Sequence, residues 1–160
     1  MLTQYFNYSV AVSADRRPAP APTPAQTGLV DSLARTSFAV TAVLNHVAAH
    51  HNLSLTQLRM LAILRDRQPR MSVLADCLGL DRSTVSGLVA RAEARGLLRR
   101  QRGEHDGRCL NVVLTARGQK LADNGGSEIA ESLAPLTASL TTAQAGRLTR
   151  LLEQMLDAGR

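Results

Sequence analysis

The sequence predicts a mainly helical protein that carries one small β-hairpin. Aromatic residues make up 2% of the 160 residues and hydrophobic residues 44%, so the core must be built largely from aliphatic side chains. This composition favours helices over a β-sandwich, because strands favour aromatic and β-branched residues. Apolar residues recur at spacings of three and four over most of the chain, and only one pair of short strands is indicated. A chain of this length is expected to form one domain.

Proline and alanine alternate in the segment PAPAPTPAQT, which closes the N-terminal part of the chain. Proline cannot donate to helical or sheet hydrogen bonds, so residues 1–27 are expected to form an extended or disordered tail. The globular domain is expected over residues 28–160. Apolar spacing places its first four helices at 29–51, at 55–67, at 72–78 with Val73, Leu74 and Leu78 buried, and at 82–95 with Val85, Leu88, Val89 and Ala92 as the core face.

Two short strands, 97–102 and 109–114, are predicted around the glycine-containing tip GEHDGR. Thr115 is positioned to cap a fifth helix, which begins at the next residue. Gly125-Gly126 and Pro135 are expected to interrupt this helix with a kink or a break. A last amphipathic helix closes the chain, so the predicted order is four helices, a hairpin and two helices.

The charge balance of the chain favours a polyanionic partner. The net charge is +6, and all but Lys120 of the 19 basic residues are arginines, which suit bidentate contacts to phosphate and guanine. The arginine codons of a GC-rich genome explain this composition equally well, and charge alone does not separate nucleic acid from a membrane surface. Between Arg82 and Arg108, however, seven arginines stand against three acidic residues, which is typical of a phosphate-binding surface.

Several classes of protein find no support in the sequence. The N-terminus lacks a basic segment ahead of an apolar run, so no signal peptide is expected. No stretch approaches the roughly 20 apolar residues that span a bilayer. Two cysteines do not make a disulfide framework. No paired carboxylates, phosphate loop or metal triad indicates an enzyme, so a cytoplasmic protein without catalytic residues, cofactor, metal or membrane partner is expected.

The most informative stretch is 71–115, where a short helix, a glycine turn and a second amphipathic helix make a helix-turn-helix. The second helix would be the recognition helix in the major groove of DNA. Its face opposite the core stripe carries small or polar residues, which allow close approach to base edges, and its N-terminus offers amides to phosphate. This face comprises Arg82, Ser83, Ser86, Gly87 and Ala90, with Thr84 at its flank.

Two motifs in this stretch resemble those of the MarR (multiple antibiotic resistance regulator) family. The first is the family's wing motif D-x-R-x-x-x-V-x-L-T, and the second combines small hydroxyl residues, an apolar stripe and R-x-E-x-R-G-L. They match Asp106, Arg108, Val112, Leu114 and Thr115 in the wing, and Ser83, Thr84, Val85, Ser86, Arg91, Glu93, Arg95, Gly96 and Leu97 in the helix and after it. The resemblance spans roughly residues 29–158.

The resemblance implies a homodimeric regulator of transcription that binds double-stranded DNA and responds to a small-molecule effector. Residues 55–115 would form the winged helix-turn-helix lobe, and residues 29–51 and 116–158 would form the dimerisation helices. Each recognition helix would lie in a major groove and each wing in the adjacent minor groove, with Asp106 orienting Arg108 through a salt bridge. The residues expected to contact DNA are Arg82, Ser83, Thr84, Ser86, Gly87, Arg91, Arg99, Arg102, Asp106 and Arg108.

An alternative interpretation is a winged-helix architectural or protein-interaction module that does not read DNA sequence. Gly87 occupies a position where many recognition helices of the family carry a basic or long polar side chain. Gly87 and Ala90 therefore leave direct readout weaker on this face, whereas the wing arginines favour the regulator. Both interpretations share one fold.

Three histidines, His46, His50 and His51, cluster at the end of the first helix. The i, i+4 spacing of His46 and His50 can hold a metal, but no Cys, Asp or Glu nearby in the sequence supplies a third ligand. An ordinary polar helix end is therefore favoured. The family's effector pocket lies between the dimerisation helices and the DNA-binding lobe, and His46, His50 and Arg59 are candidates to line it.

The two cysteines, Cys77 and Cys109, are candidates for oxidant sensing rather than catalysis. Arg108 beside Cys109 could lower the pKa of that thiol, whereas Cys77 is expected to be a small core residue. Thiol sensors that resemble this family usually carry the reactive cysteine near the first helix, where this chain has none. A catalytic arrangement of His105, Asp106 and Cys109 is disfavoured, because a turn provides no scaffold to align them.

Overall fold

The computed structural model describes residues 23–102 and 110–158, which form six helices and one antiparallel pair of strands. The order of elements is the predicted one. Within this part of the chain the elements are α1 (Pro24–His50), α2 (Leu55–Arg65), α3 (Met71–Leu78), α4 (Arg82–Ala94), β1 (Leu98–Arg102), β2 (Leu110–Leu114), α5 (Ala116–Thr137) and α6 (Thr142–Ala158).

Helix α1 begins earlier than expected, inside the range assigned to the tail. Thr23 caps it with a capping box: the Thr23 side chain accepts a hydrogen bond from the backbone of Gln26, and the Gln26 side chain accepts one from the backbone of Thr23. Pro24 occupies the first helical position, where its missing N–H costs no internal hydrogen bond. The tail boundary at residue 27 is therefore wrong, because TPAQ is a helix start.

The helix-turn-helix is built as predicted, with one exception on α3. Gly79 ends α3 in the left-handed conformation, with φ of 67°, which the turn requires and which glycine adopts without strain. The four predicted core residues of α4 are all buried. Val73, expected to be buried, is 47% exposed. The helix turns about 100° per residue, so burying Leu74 and Leu78 on one side directs Val73 outward.

The hairpin is anchored to the helices along its second strand. β1 and β2 pair from Leu98 opposite Leu114 to Arg102 opposite Leu110. The backbone N–H of Val112, which is fully buried, also donates to the carbonyl of Pro69 at 3.0 Å. The hairpin base is therefore fixed against the segment that precedes α3, whereas the predicted tip, residues 103–108, lies outside the described residues.

Helix α5 is continuous, so the expected interruption at Gly125-Gly126 and at Pro135 is wrong. A Cβ atom on Gly125 would lie 3.5 Å from the Cδ1 atom of Leu58, and one on Gly126 would lie 2.9 Å from a guanidinium nitrogen of Arg65. The two glycines thus let α5 approach α2 closely. Pro135 lies in the last turn of α5 and does not break the helix, although it has no N–H to donate to the carbonyl of Glu131 one turn earlier.

Among the described glycines, Gly118 leaves the least room for a side chain, at the point where the first turn of α5 crosses Leu97. A Cβ atom built on Gly118 would lie 1.8 Å from the Leu97 carbonyl oxygen. The contact is fixed from both sides, because the N–H of Thr115 donates to this same oxygen at 3.1 Å and the Thr115 hydroxyl donates to the Gly96 carbonyl at 2.7 Å. No rotamer can relieve a clash with backbone.

Replacing Gly118 by alanine is therefore expected to lower the free energy of unfolding by about 3 kcal/mol, the upper range for overpacking. Gly125→Ala is the matched control: it adds the same methyl group in the same helix at an ordinary contact distance. This control is expected to change stability by less than about 1 kcal/mol, since higher helix propensity offsets tighter packing. Urea denaturation measures both, and equal stability of the two variants would refute the close contact.

Two helices leave large apolar side chains in solvent. Leu29, Val30 and Phe38 of α1 are 51%, 60% and 74% exposed. No side chain of α6 from residue 142 to 157 is buried, although the helix carries five large apolar residues on one face, four of them exposed. In the described part of the chain, no helix has the length and apolar character needed to cross a membrane.

Candidate nucleic-acid interface

The start of α4 is organised by Asp81, a residue not singled out as a site candidate. Its carboxylate accepts hydrogen bonds from the Ser83 hydroxyl, from the Thr84 hydroxyl at 2.6 Å and from the Thr84 backbone N–H at 2.8 Å. These bonds, with that from Ser83 contributing most, hold the pKa of Asp81 well below its ordinary value. The helix therefore starts with a fixed negative charge.

This cap changes what Ser83 and Thr84 can offer a ligand. Both side chains are exposed, as predicted, but their hydroxyl hydrogens are directed to Asp81. Their oxygens remain available only as acceptors, so neither hydroxyl donates to a phosphate in this arrangement. The expectation that the helix N-terminus offers free amides to phosphate is also weakened, because Asp81 engages the Thr84 N–H and repels anions.

The middle of α4 presents a shallow exposed face with an arginine on each side. Ser86 and Ala90 are exposed and Gly87 is half-buried. Arg82 and Arg91 are nine positions apart and therefore lie on opposite edges of this face. A Cβ atom on Gly87 would lie 3.4 Å from a guanidinium nitrogen of Arg91, so that arginine lies beside the position that glycine leaves open.

The arginines after α4 divide into structural and exposed ones. Arg95 donates to the Asn52 carbonyl at 2.8 Å and joins the end of α4 to the α1–α2 connection. Arg100 pairs with Glu93 at 3.0 Å. Arg99 and Arg102, both predicted to contact DNA, are exposed on β1. Arg82 and Arg91 of α4 are exposed in the same way.

Some of the predicted site residues cannot be located in the fold. Asp106, Arg108 and Cys109 fall within residues 103–109, outside the described residues, so their roles stay predictions. Cys77 is a free cysteine that is half-buried on α3 and packs against the hydrophobic core, which agrees with a small core residue.

A cavity of about 380 Å³ opens where α1, the α4–β1 turn and α5 meet. Of the three residues predicted for an effector pocket, only His50 lines it. His46 is exposed on α1, and Arg59 donates to the carbonyls of Cys77 and Leu78, which closes the end of α3. The structure therefore does not bring these three together. The cavity is lined by His50, His51, Asn52, Arg95, Leu97, Arg117, Lys120, Leu121 and Asn124.

The cationic side of the cavity was missed by sequence reasoning, although a signal for it exists. Arg117, Lys120, Leu121 and Asn124 stand at i, i+3, i+4 and i+7 of α5, the spacing of a single helix face. A polar helix face with this spacing can either face solvent or line a cavity. In this chain it forms one wall of the cavity.

The histidines at the end of α1 also have a partner that the sequence did not reveal. Nδ1 of His50 lies 2.8 Å from Oε1 of Glu128, and Nε2 of His51 lies 2.9 Å from Oε2 of the same carboxylate. The hydrogen bond with His50, ahead of that with His51, lowers the pKa of Glu128 below its ordinary value. No residue nearby in the sequence supplies a third ligand to these histidines, but α5 brings a carboxylate to them from 77 residues along the chain.

Comparison with known proteins gives one consistent result. The sequence profile of the MarR family matches residues 51–108, the stretch that holds the helix-turn-helix and the first strand. The homoprotocatechuate degradative operon repressor of Escherichia coli is 31% identical over 115 residues, which cover 71% of this chain and 77% of the repressor.

Several solved structures share the fold of this chain over most of its length. AbsC, a MarR family transcriptional regulator from Streptomyces coelicolor, superposes with a TM-score of 0.72 at 21% identity, covering 88% of this chain and 97% of AbsC. CouR from Rhodococcus jostii, bound to p-coumaroyl-CoA, gives 0.68 at 20%, covering 81% and 91%. A mutant of MepR from Staphylococcus aureus, bound to an oligodeoxyribonucleotide, gives 0.58 at 21%, covering 82% and 98%. At these identities the similarity is one of fold.

Proposed function

We propose that this chain, which belongs to the MarR family of transcriptional regulators, binds a roughly palindromic operator as a homodimer and changes its DNA affinity when a small molecule binds. The observation that carries the proposal is the exposed face of α4, where small residues lie between Arg82 and Arg91. A helix with this face can enter a major groove deeply, and its two arginines can reach base edges or phosphates on either side.

The proposed contacts follow from this placement. Ser86 and Arg82 read base edges, with Gly87 providing close approach, while Ser83 and Thr84 accept hydrogen bonds rather than donate them. Arg91, Arg99 and Arg102 contact phosphates, which position the protein without reading sequence. Asp106 and Arg108 of the wing are proposed to contact the minor groove. The oligodeoxyribonucleotide bound to the MepR mutant supports a DNA ligand for this fold.

The homodimer is proposed from apolar surface that one chain leaves uncovered. Phe38 of α1 and four of the five large apolar residues on one face of α6 are exposed in the single chain. Apolar surface of this extent is typical of an interface, and a two-fold dimer would present its two recognition helices to successive half-sites. The dimerisation helices are thus α1 together with α5 and α6.

The effector is proposed to bind in the cavity that Arg117 and Lys120 line, between the end of α1 and α5. The p-coumaroyl-CoA bound to CouR supports a small-molecule ligand for this fold. Among the predicted pocket residues, His50 keeps this role, and His46 and Arg59 do not. The proposed activity involves no catalytic step, and we assign the protein to the cytoplasm because its proposed partner is DNA.

Selection of bound fragments from random double-stranded DNA tests the proposal. We expect enrichment of an inverted repeat whose half-sites are centred about 10 base pairs apart, one helical turn. Tight binding without any enriched motif would instead favour an architectural module, an outcome that the small side chains of Gly87 and Ala90 make physically reasonable. Enrichment of a single asymmetric half-site would contradict the dimer.

A further inference from the structure

We propose that His50, His51 and Glu128 form a binding site for a divalent transition metal of the zinc type, at the junction of α1 and α5. Each of the three side chains offers one ligand atom, and these atoms lie within 4.8 Å of one another. The proposal concerns the folded chain alone and does not depend on DNA binding.

The donor set fits zinc better than the hard cations. Two imidazole nitrogens and one carboxylate oxygen are a common protein ligand set of an open zinc site, in which water or another ligand completes a tetrahedron. Calcium and magnesium prefer oxygen ligands throughout. The expected metal is therefore zinc, with cobalt as its spectroscopic substitute.

The three ligand atoms must move closer together to hold the ion. Zinc binds nitrogen and oxygen at about 2.0–2.2 Å, so neighbouring ligand atoms of a tetrahedron lie roughly 3.4 Å apart. The Glu128 carboxylate now bridges the two rings through hydrogen bonds of 2.8 and 2.9 Å. An ion between the three groups would replace both hydrogen bonds with metal bonds: each ring nitrogen that now donates to Glu128 passes its hydrogen to the other ring nitrogen or to solvent, and ligand atoms now up to 4.8 Å apart close to about 3.4 Å.

The backbone around the ligands is held in place before any metal binds. His51 caps α1 and its N–H donates to the carbonyls of Val47 and Ala48, while Arg95 donates to the carbonyls of His51 and Asn52. The side chains of His51 and Glu128 are 17% and 27% exposed, whereas that of His50 is 66% exposed. Two ligands are thus partly fixed by packing, and the third provides access from solvent.

The charged side chains around the three ligands affect how tightly the site binds a metal ion. Arg95, Arg117 and Lys120 line the cavity beside the histidines and oppose a dication. Glu128 supplies the negative charge closest to the ion, so its loss is expected to weaken binding more than the loss of a single neutral ligand.

Titration of the full chain, freed of metal by a chelator, with zinc chloride alone tests the site. We expect one ion per chain by calorimetry and a rise in the melting temperature at saturating zinc, because the ion binds the folded state. Cobalt chloride is expected to give the visible absorption bands of a four-coordinate site without a thiolate charge-transfer band. Absence of saturable zinc binding would overturn the proposal, as would a thiolate band, which would place the metal on a cysteine.

Matched variants assign the ligands. Glu128→Gln and His51→Gln are each expected to weaken zinc binding at least about tenfold. Glu131→Gln makes the same charge change at an exposed position on the same helix, and His46→Gln removes an exposed histidine from α1; both controls are expected to bind as the parent does. If Glu128→Gln does not fold, zinc binding by His50→Gln, a substitution at an exposed position, tests the ligand assignment instead. Parental zinc affinity in a folded ligand variant would overturn the assignment.

Discussion

Replacing Leu148 and Leu151 of α6 by glutamate is expected to convert the proposed dimer into a monomer and to weaken operator binding at least about 100-fold. The two leucines are 42% and 48% exposed in the single chain and lie on one face of the helix. In a two-fold interface each substitution occurs twice, so four charges would be buried against apolar surface without partners. A monomer contacts a single half-site and loses the second set of contacts.

Sedimentation equilibrium and fluorescence anisotropy with labelled operator measure these two effects. Arg150→Glu is the control, because it changes the net charge by the same two units at an exposed position of α6 on the side opposite the apolar stripe. We expect this variant to remain dimeric and to bind DNA as the parent does. A parent chain that is monomeric at micromolar concentration, or a doubly substituted chain that stays dimeric, would show that α6 does not hold the assembly together.

The sequence was sufficient for the helix-turn-helix because the signals there are local. The spacing of Val85, Leu88, Val89 and Ala92 defined the buried face of α4, and Gly79 marked the turn before it. Each of these signals depends on residues within one or two helical turns. The exposure of the predicted contact residues Arg82 and Ser86 follows from the same periodicity.

Contacts between residues far apart in the sequence explain why the predicted interruption of α5 is wrong. Gly125-Gly126 was interpreted from its low helix propensity alone, whereas α2 packs so close to α5 that small residues fit at that point. Tertiary packing thus outweighs a propensity cost of about 1 kcal/mol per glycine. No periodicity on α5 could reveal this, because the reason lies on α2.

The candidate site shows the same division between local and distant information. Glu128 is 77 residues from His51, and no spacing rule connects an α1 terminus with the middle of α5. Arg59 is of a residue type that often binds ligands, but its guanidinium donates to the Cys77 carbonyl at the end of α3. Asp81 could have been recognised more fully, since an aspartate followed by serine and threonine is able to hold both hydroxyls at a helix start.

Charge reversal on the recognition helix is expected to remove operator binding most completely. In the double variant Arg82→Glu/Arg91→Glu, both arginines that flank the exposed face of α4 become acidic. A good base contact of Arg82 contributes about 1–3 kcal/mol and a hydrogen bond of Arg91 to a charged phosphate about 1.5–3 kcal/mol, and the dimer would lose two of each. Even at the lower bound, the loss of about 5 kcal/mol corresponds to more than about a thousandfold weaker binding.

Anisotropy titration of this double variant with the selected operator, over a series of salt concentrations, is the most direct test of whether α4 binds DNA. The control is Arg147→Glu/Arg150→Glu, which changes the net charge equally at exposed positions of α6. We expect the α4 variant to lose at least about a thousandfold in affinity and to show a shallower dependence on salt, while the α6 variant keeps most of both. An α4 variant that binds the operator as tightly as the α6 variant would contradict the assignment of α4 as the recognition helix.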